Sequence, residues 1–199
     1  MPKTYSEKER AAIIAALRAA AAESLVQNGV RRTTVDDLVR KAHIPKGTFY
    51  LFYDSKELLL YDALEQYEQA MHVEILAQLK TLPPDFSVDA LAEMLCGFFH
   101  SALESGMLRL LLSGELEQLT RKLPDDLVAQ HIHDDDDFTL LFLQLMPQLT
   151  REQGEQYSAA LRAIFFTAVY QREIGPQYDA ALYLLVRGLV LQMKEAQHD

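Results

Sequence analysis

The sequence predicts an all-α protein, with a small N-terminal helical domain followed by a larger helical domain. Apolar residues recur at helical spacing along most of the chain, and the strict alternation typical of strands is absent. The glycines and prolines, 8 and 7 among 199 residues, fall between the periodic segments. Because 49% of the residues are hydrophobic, the chain can bury a sizeable core.

The first two helices are predicted from their spacing and their ends. Residues 6–28 place apolar side chains at helical spacing. Asn28-Gly29 predicts the end of this helix, because both residue types tolerate the left-handed conformation that ends many helices. Thr33 or Thr34 is the predicted cap of a second, short helix.

Two more helices complete the N-terminal part. Pro45 should lie near the start of a third helix, where its missing N–H costs little. Phe49 and Phe52 are three residues apart and should face inward. Asp54 or Ser55 is the predicted cap of a long fourth helix.

Pro83-Pro84 breaks the chain after the fourth helix. Breaks at glycine, at proline and at an acidic run divide the rest of the chain into six segments. The predicted helices are residues 88–103, 105–122, 125–131, 136–147, 152–173 and 177–197.

The segment from residue 33 to Lys56 is typical of two short helices joined by a tight turn, with a third helix starting directly behind. Its second helix opens with Lys46-Gly47-Thr48 and contains Tyr50. A compact helix pair with small, polar and basic residues at its leading edge fits the major groove of a DNA duplex. The segment therefore predicts a sequence-specific DNA-binding domain.

The charge distribution agrees with that prediction once the chain is divided. The formal net charge is −10, but residues 1–60 hold 10 Lys/Arg and 7 Asp/Glu. Residues 61–199 hold 9 Lys/Arg and 22 Asp/Glu. Phosphate contact needs local positive charge, and the acidic remainder should direct the N-terminal end toward the duplex.

Residues 10–60 resemble the tetracycline-repressor (TetR) family. The resemblance lies in the order of a long helix, a Thr-Thr cap, a short helix, a turn, Pro-Lys-Gly-Thr-Phe-Tyr and then Asp-Ser-Lys-Glu-Leu-Leu. It implies an N-terminal three-helix helix-turn-helix DNA-binding domain, residues 1–55. It also implies a helical effector-binding and dimerisation domain, residues 56–199.

The resemblance also implies roles for individual residues. Thr34, Tyr50 and Lys56 match phosphate-contacting positions, and Lys46, Gly47 and Thr48 match the groove-facing start of the recognition helix. With Leu51 added, the predicted DNA-binding residues are Thr34, Lys46, Gly47, Thr48, Tyr50, Leu51 and Lys56.

Four positions depart from the family pattern. His43 lies where the turn usually has Gly, so a left-handed, strained His is expected. Pro45 replaces the usual Ser, and Tyr53 lies where Phe is usual. Leu51 occupies an often polar position, which favours apolar contact with thymine methyl groups over hydrogen bonding.

The large apolar residues of the second domain permit two interpretations. Each one alone is more simply explained as core, but together they could line a cavity for a small, lipophilic effector, cationic or neutral. His100 and Tyr170 could supply polar anchors in such a cavity. The candidate ligand-binding residues are Phe98, Phe99, His100, Met107, Leu111, Phe138, Phe142, Phe166 and Tyr170.

The last two predicted helices, residues 152–173 and 177–197, have apolar residues over wider faces than one contact surface needs. A buried helix pair in a monomer is one explanation. A homodimer, in which the pair packs against its symmetry mate as a four-helix bundle, is favoured because two recognition helices must meet two half-sites.

The sequence therefore predicts a ligand-responsive transcriptional regulator. It is expected to be a repressor that binds a palindromic operator in double-stranded DNA as a homodimer and is released by a small-molecule effector. The alternative is a DNA-bound architectural or protein-partner-binding member of the same fold with no small ligand. Discovery of a ligand that changes operator affinity separates the two.

Other classes of function find little support. No Gly-rich phosphate loop, Gly-x-Ser-x-Gly or His-Glu-x-x-His motif is present, so an enzyme is not expected. No cofactor is expected, and the His131–Asp137 tract is more typical of a solvated helix start than of a metal site. Cys96, the single cysteine, should be buried and inert. Without a long apolar run, a cytoplasmic protein with no membrane contact is expected.

Overall fold

A computed structural model gives the positions of residues 5–83, 85–106, 110, 114–124, 127, 145–147 and 149–196. All regular secondary structure in these ranges is helical, as the sequence predicts. The predicted helices at 125–131 and 136–147 fall almost entirely outside the described residues, and the tract His131–Asp137 falls wholly outside them.

The N-terminal part contains four helices in the predicted order: α1 (Glu7–Arg32), α2 (Val35–Lys41), α3 (Lys46–Phe49) and α4 (Lys56–Leu79). Ser6 caps α1 through a reciprocal capping box with Glu9. Gly29, with φ 72°, interrupts α1 at the predicted place, and a last turn comes after it.

The remaining helices are α5 (Val88–Glu104), α6 (Glu115–Thr120), α7 (Arg151–Phe166), α8 (Gln171–Ile174) and α9 (Tyr178–Glu195). The single helix predicted for residues 152–173 is wrong. After Phe166 the chain tightens into a 3₁₀ turn, Thr167–Tyr170, before α8 begins. Gly175, with φ 77°, then ends α8.

The contacts divide the chain into two compact units. Unit 1 consists of Met1–Met71 and Gly106–Pro124, and unit 2 of His72–Ser105 and Asp125–Asp199. The functional boundary predicted after residue 55 stays a prediction. Residues 56–71 of α4 and all of α6 belong to the same unit as the helix-turn-helix segment.

Each unit has its own apolar core. In unit 1, the largest fully buried side chains come from α1, α2, α3, α4 and α6, and they are Leu17, Leu38, Phe49, Leu59, Leu60 and Leu119. In unit 2, α9 packs against α5 and α7. The most buried side chains of unit 2 include Leu91, Met146, Leu182, Val186, Val190 and Met193. No helix in the described ranges is long and apolar enough to cross a lipid bilayer.

Candidate nucleic-acid interface

The turn between α2 and α3 is built around a left-handed histidine. His43 has φ 53°, the conformation predicted from its position in the turn. Its N–H donates to the carbonyl of Arg40 at 3.3 Å, and the N–H of Ile44 donates to the carbonyl of Val39 at 3.0 Å. These bonds reverse the chain within a few residues, so α3 starts directly beside α2.

The inner side of α3 is fixed by aromatic packing. Phe49 is fully buried and lies edge-on to Tyr50, with ring centroids 5.2 Å apart. Phe52, predicted to face inward, is only half-buried, because its ring packs near Tyr5 and under the guanidinium of Arg10 at 4.9 Å. The aromatic residues at and after α3 therefore fix this helix against the rest of unit 1.

The outer side of α3 faces solvent. Tyr50 and Leu51 are each 52% exposed, and Lys46 and Gly47 are exposed as well. A Cβ added to Gly47 would meet nothing within 4 Å, so the backbone there can approach another molecule closely. We call these four residues, Lys46, Gly47, Tyr50 and Leu51, the recognition edge.

Lys46 is paired with a carboxylate of the preceding helix. Its Nζ lies 2.9 Å from Oδ1 of Asp36. The hydrogen bond to Asp36 raises the pKa of Lys46 above its ordinary value, so the ammonium is charged at physiological pH. A charged donor at the start of α3 suits contact with phosphate or with a base edge.

Thr34 lies in the predicted position at the start of α2. It is exposed and caps that helix, since its hydroxyl accepts the N–H of Asp37 at 3.2 Å. The same hydroxyl donates to the Asp37 carboxylate at 2.6 Å and lowers the pKa of Asp37. The side chain is thus both a cap and accessible to a phosphate.

Thr48 is mostly buried in the free protein. It is only 7% exposed, and its Oγ1 lies 3.1 Å from the Oη of Tyr5. This contact holds α3 against the N-terminal segment. The predicted contact of Thr48 with DNA stays a prediction.

Lys56 makes contacts within the protein that the sequence did not predict, and its contact with phosphate stays a prediction. Its Nζ donates to the carbonyls of Val30 at 2.9 Å and Thr33 at 2.6 Å, and the side chain is half-buried. These bonds join the start of α4 to the junction of α1 and α2. Two of the three donors of the ammonium are used inside the protein, so its first role is to fix the fold.

A polar cluster not predicted from the sequence supports the helix-turn-helix segment. The guanidinium of Arg18 on α1 donates to both carboxylate oxygens of Asp62 on α4, at 2.7 and 2.8 Å. The hydroxyl of Tyr53 donates to the same carboxylate. Burial and the hydrogen bond to Asp62 raise the pKa of Tyr53, so this residue stays protonated and acts as a donor.

A second unpredicted contact joins α6 to the end of α1. The Glu115 carboxylate accepts the N–H of Val30. A Cβ added to Gly29 would collide with that carboxylate, and the φ of 72° also favours glycine at this position. Gln118 accepts a hydrogen bond from Arg31, and Lys122 lies 3.0 Å from Glu57 of α4.

The candidate ligand-binding residues that the structure describes differ widely in burial. Phe99 is buried against Phe165, with centroids 5.3 Å apart, and Phe98 is half-buried. Phe166 and Tyr170 are 53% and 61% exposed. The remaining candidates Met107, Leu111, Phe138 and Phe142 lie outside the described residues.

The predicted polar anchor His100 is used on the surface. Its Nε2 lies 3.1 Å from Oδ1 of Asp179, and both side chains are well exposed. Cys96 nearby in sequence is 8% exposed, and burial raises the pKa of its thiol to about 11. The thiol is therefore protonated at neutral pH, as expected of an inert residue.

α9 exposes a long apolar face in unit 2. Leu184, Leu185 and Leu191 are 69%, 49% and 39% exposed. Gly188 lies between them, and a Cβ added there would meet nothing within 4 Å. We call Leu184, Leu185, Gly188 and Leu191 the α9 face. Its leucines surround a glycine that permits close approach of another helix.

Residues 17–63 match the family model of bacterial regulatory proteins of the tetR family. No curated protein matches the chain. The matched range contains the α2–α3 turn, the recognition edge and the cluster of Arg18, Tyr53 and Asp62.

Three solved structures are similar to the chain along most of its length. A TetR-like transcriptional regulator from Rhodococcus sp. RHA1 is 21% identical with a TM-score of 0.58, over 95% of this chain and 97% of the other. A TetR-family transcriptional regulator from Streptomyces coelicolor is 14% identical with a TM-score of 0.64, over 92% and 96%. FadR from Thermus thermophilus, a TetR-family repressor in complex with lauroyl-CoA, is 19% identical with a TM-score of 0.56, over 92% and 94%.

Proposed function

We propose that this chain, whose residues 17–63 match the tetR-family model, is a ligand-responsive transcriptional repressor of that family. It binds a palindromic operator as a homodimer, and a small lipophilic effector releases it. The observation that carries the proposal is the recognition edge, where a cation and a bare backbone at the start of α3 and the two large side chains that follow α3 are all exposed.

Each residue of the recognition edge has a role that its chemistry supports. Lys46 donates to a base edge at the start of α3, and Gly47 lets the backbone approach the duplex. Leu51 contacts a thymine methyl group, and the hydroxyl of Tyr50 reaches a phosphate. Thr34 adds a phosphate contact at the start of α2.

The α9 face supports the homodimer. Leucines of this exposure over an 18-residue helix are costly to leave in water, and a second copy of the same face would cover them. A two-fold axis through the face uses the same residues on both protomers. The dimer then presents two recognition edges to two half-sites about one helical turn apart.

The course of the chain supports a response to an effector. The segment Gly106–Pro124 belongs to unit 1, whereas the residues on both sides of it belong to unit 2. A ligand that rearranges unit 2 therefore acts on both ends of the segment containing α6. Since α6 binds the end of α1 through Glu115 and Gln118, that change reaches the helix-turn-helix segment.

The chemistry of the effector is proposed from one relative. The FadR structure contains lauroyl-CoA, a molecule with a long acyl chain. The apolar composition of the candidate residues in unit 2 is compatible with such a chain. An effector shifts the DNA-binding equilibrium only by its different affinity for the two states, so it must bind the released state more tightly.

A protein-partner-binding regulator with no small ligand is the second candidate. The exposure of Phe166 and Tyr170 favours it, because two of the residues predicted to line a pocket are available at the surface. In that case a partner protein, and not a small molecule, controls the binding of DNA.

The test selects genomic DNA fragments with the purified full-length protein and then titrates the selected DNA with lauroyl-CoA and free coenzyme A. The proposal expects one short palindrome, bound by two protomers, and release by lauroyl-CoA but not by coenzyme A. A palindrome that no acyl-CoA releases favours the second candidate. Failure to select any sequence contradicts both.

A further inference from the structure

Every cation on the two helices of the helix-turn-helix segment lies against a carboxylate. On α2, Arg40 pairs with Asp37, and Lys41 lies 3.1 Å from Glu23 of α1. On α3, Lys46 lies 2.9 Å from Asp36. The positive charge of α2 and α3 is therefore neutralised locally in the free protein.

The two aspartates of α2 differ in what they contact. The Asp37 carboxylate accepts a hydrogen bond from the hydroxyl of Thr34. The backbone N–H of Asp37 donates to the same hydroxyl, so Asp37 helps to form the start of α2. Asp36 is 71% exposed, and its carboxylate contacts the first residue of the next helix. Asp36 can therefore be changed with less effect on the fold.

We propose that Asp36 determines specificity, because it holds the ammonium of Lys46 at the start of α3 and opposes its capture by the phosphates of unrelated DNA. The inference rests on the proposed function of the recognition edge. Phosphates attract a free lysine on any sequence, whereas base edges lie where α3 enters the groove. A carboxylate beside the lysine weakens its contact with a phosphate more than its contact with a base edge.

The geometry of a lysine permits both contacts at the operator. An ammonium has three N–H donors, so Lys46 can keep its bond to Asp36 and donate to a base acceptor as well. On unrelated DNA the same lysine meets phosphates, which carry a full negative charge, whereas a base acceptor is neutral. The Asp36 carboxylate beside the lysine therefore repels a phosphate more strongly than it repels a base edge.

The experiment compares the wild type and Asp36→Asn on the selected operator and on random-sequence duplex of equal length, at two salt concentrations. Loss of one exposed ion pair should raise affinity for random DNA about two- to fivefold, with a smaller change on the operator. The salt dependence on random DNA should steepen by about 0.9 in log–log slope, the value for one added phosphate contact.

Two matched variants separate this role from a change in net charge. Glu117→Gln removes the same charge and breaks an exposed pair on α6, where Glu117 lies 2.6 Å from Arg121. Glu117→Gln should leave the ratio of the affinity for the operator to the affinity for random DNA as it is in the wild type. Asp36→Glu keeps the carboxylate and should restore the wild-type ratio.

An equal gain on both DNAs, no gain, or the same gain with Glu117→Gln overturns the inference. In each of these cases the wild type still binds the operator, so the proposed function stands. If the wild type binds no DNA at either salt concentration, the proposed function fails, and the inference fails with it. Thermal unfolding of each variant, compared with the wild type, shows whether a change in affinity comes from unfolding of the protein.

Discussion

The recognition edge and the α9 face both expose large apolar side chains, yet they differ in charge and in extent. The recognition edge consists of the start of the four-residue helix α3 and the two residues that follow it, so that the cation Lys46 is exposed together with Tyr50 and Leu51. The α9 face lies along an 18-residue helix and contains leucines and a glycine. A short apolar surface with a cation suits a polyanionic groove, whereas a long uncharged one suits another helix.

The two surfaces also differ in how they are supported. The recognition edge is positioned entirely by its own chain, through Phe49 below it and the Tyr53–Asp62 hydrogen bond behind it. The opposite side of α9 is packed against α5, but the described residues of one protomer leave its exposed side uncovered. The first surface needs only its own chain, whereas the second would be covered in the proposed homodimer.

The largest expected effect comes from a charge placed on the α9 face. Leu184→Glu should convert the dimer to monomers and lower operator affinity by at least about 100-fold, because a two-fold interface repeats each substitution and buries both carboxylates. Light scattering gives the oligomeric state, and a gel-shift titration gives the affinity.

Val73→Glu is the matched control for that substitution. Val73 is 67% exposed on α4, close to the 69% of Leu184, and lies outside the α9 face. The control should remain dimeric and bind the operator as the wild type does. If both variants stay dimeric, the α9 face is not the dimer surface. Its uncharged, apolar character would then need an explanation other than dimerisation.

A smaller effect is expected at the support of the recognition edge. Tyr53→Phe removes a hydrogen bond to a carboxylate that also holds Arg18, and should lower the free energy of unfolding by about 1–2 kcal/mol. Chemical denaturation measures this change. Dimerisation should be unaffected, since the α9 face lies elsewhere in the chain.

Tyr61→Phe is a useful comparison, because its hydroxyl bonds to Glu65 within the same helix at 2.6 Å. A local bond of this kind should contribute less to the position of α3. Equal losses of operator affinity in the two variants would show that the Tyr53 bond has no special role in supporting the recognition edge.

The smallest effect is expected in the turn. His43→Gly should stabilise unit 1 by about 0.5–1 kcal/mol, because glycine adopts the left-handed conformation at φ 53° without strain. This net gain already includes the opposing effect of glycine, which increases the conformational entropy of the unfolded chain. Thermal unfolding measures the gain. A loss of stability would mean that the imidazole makes a contact worth more than the strain.

The sequence predicts the elements that depend on neighbouring residues. The cap at Thr34 and the buried Phe49 are predicted from spacing over a few positions, and the left-handed turn at His43 is implied by the family resemblance. The family resemblance assigns Tyr50 and Leu51 to the contact with DNA, and both are exposed in the structure.

Contacts between residues far apart in the chain escape prediction from the sequence. Thr48 faces inward because Tyr5, 43 residues away, lies against it. Lys56 binds carbonyls more than 20 residues earlier, and Glu115 binds the N–H of Val30, 85 residues away. A family motif gives the type of residue at each position, but only the folded chain shows which partner takes each hydrogen bond.

DNA recognition by the recognition edge is tested most sharply by replacing each thymine of the selected operator with uracil, one at a time. Binding of the wild type and of Leu51→Ala is measured on each modified operator, because uracil lacks only the 5-methyl group that Leu51 should contact. We expect one thymine per half-site whose replacement weakens the wild type but not the variant. If every replacement affects both proteins equally, Leu51 contacts no thymine methyl group, and the proposed recognition of DNA by this edge is wrong.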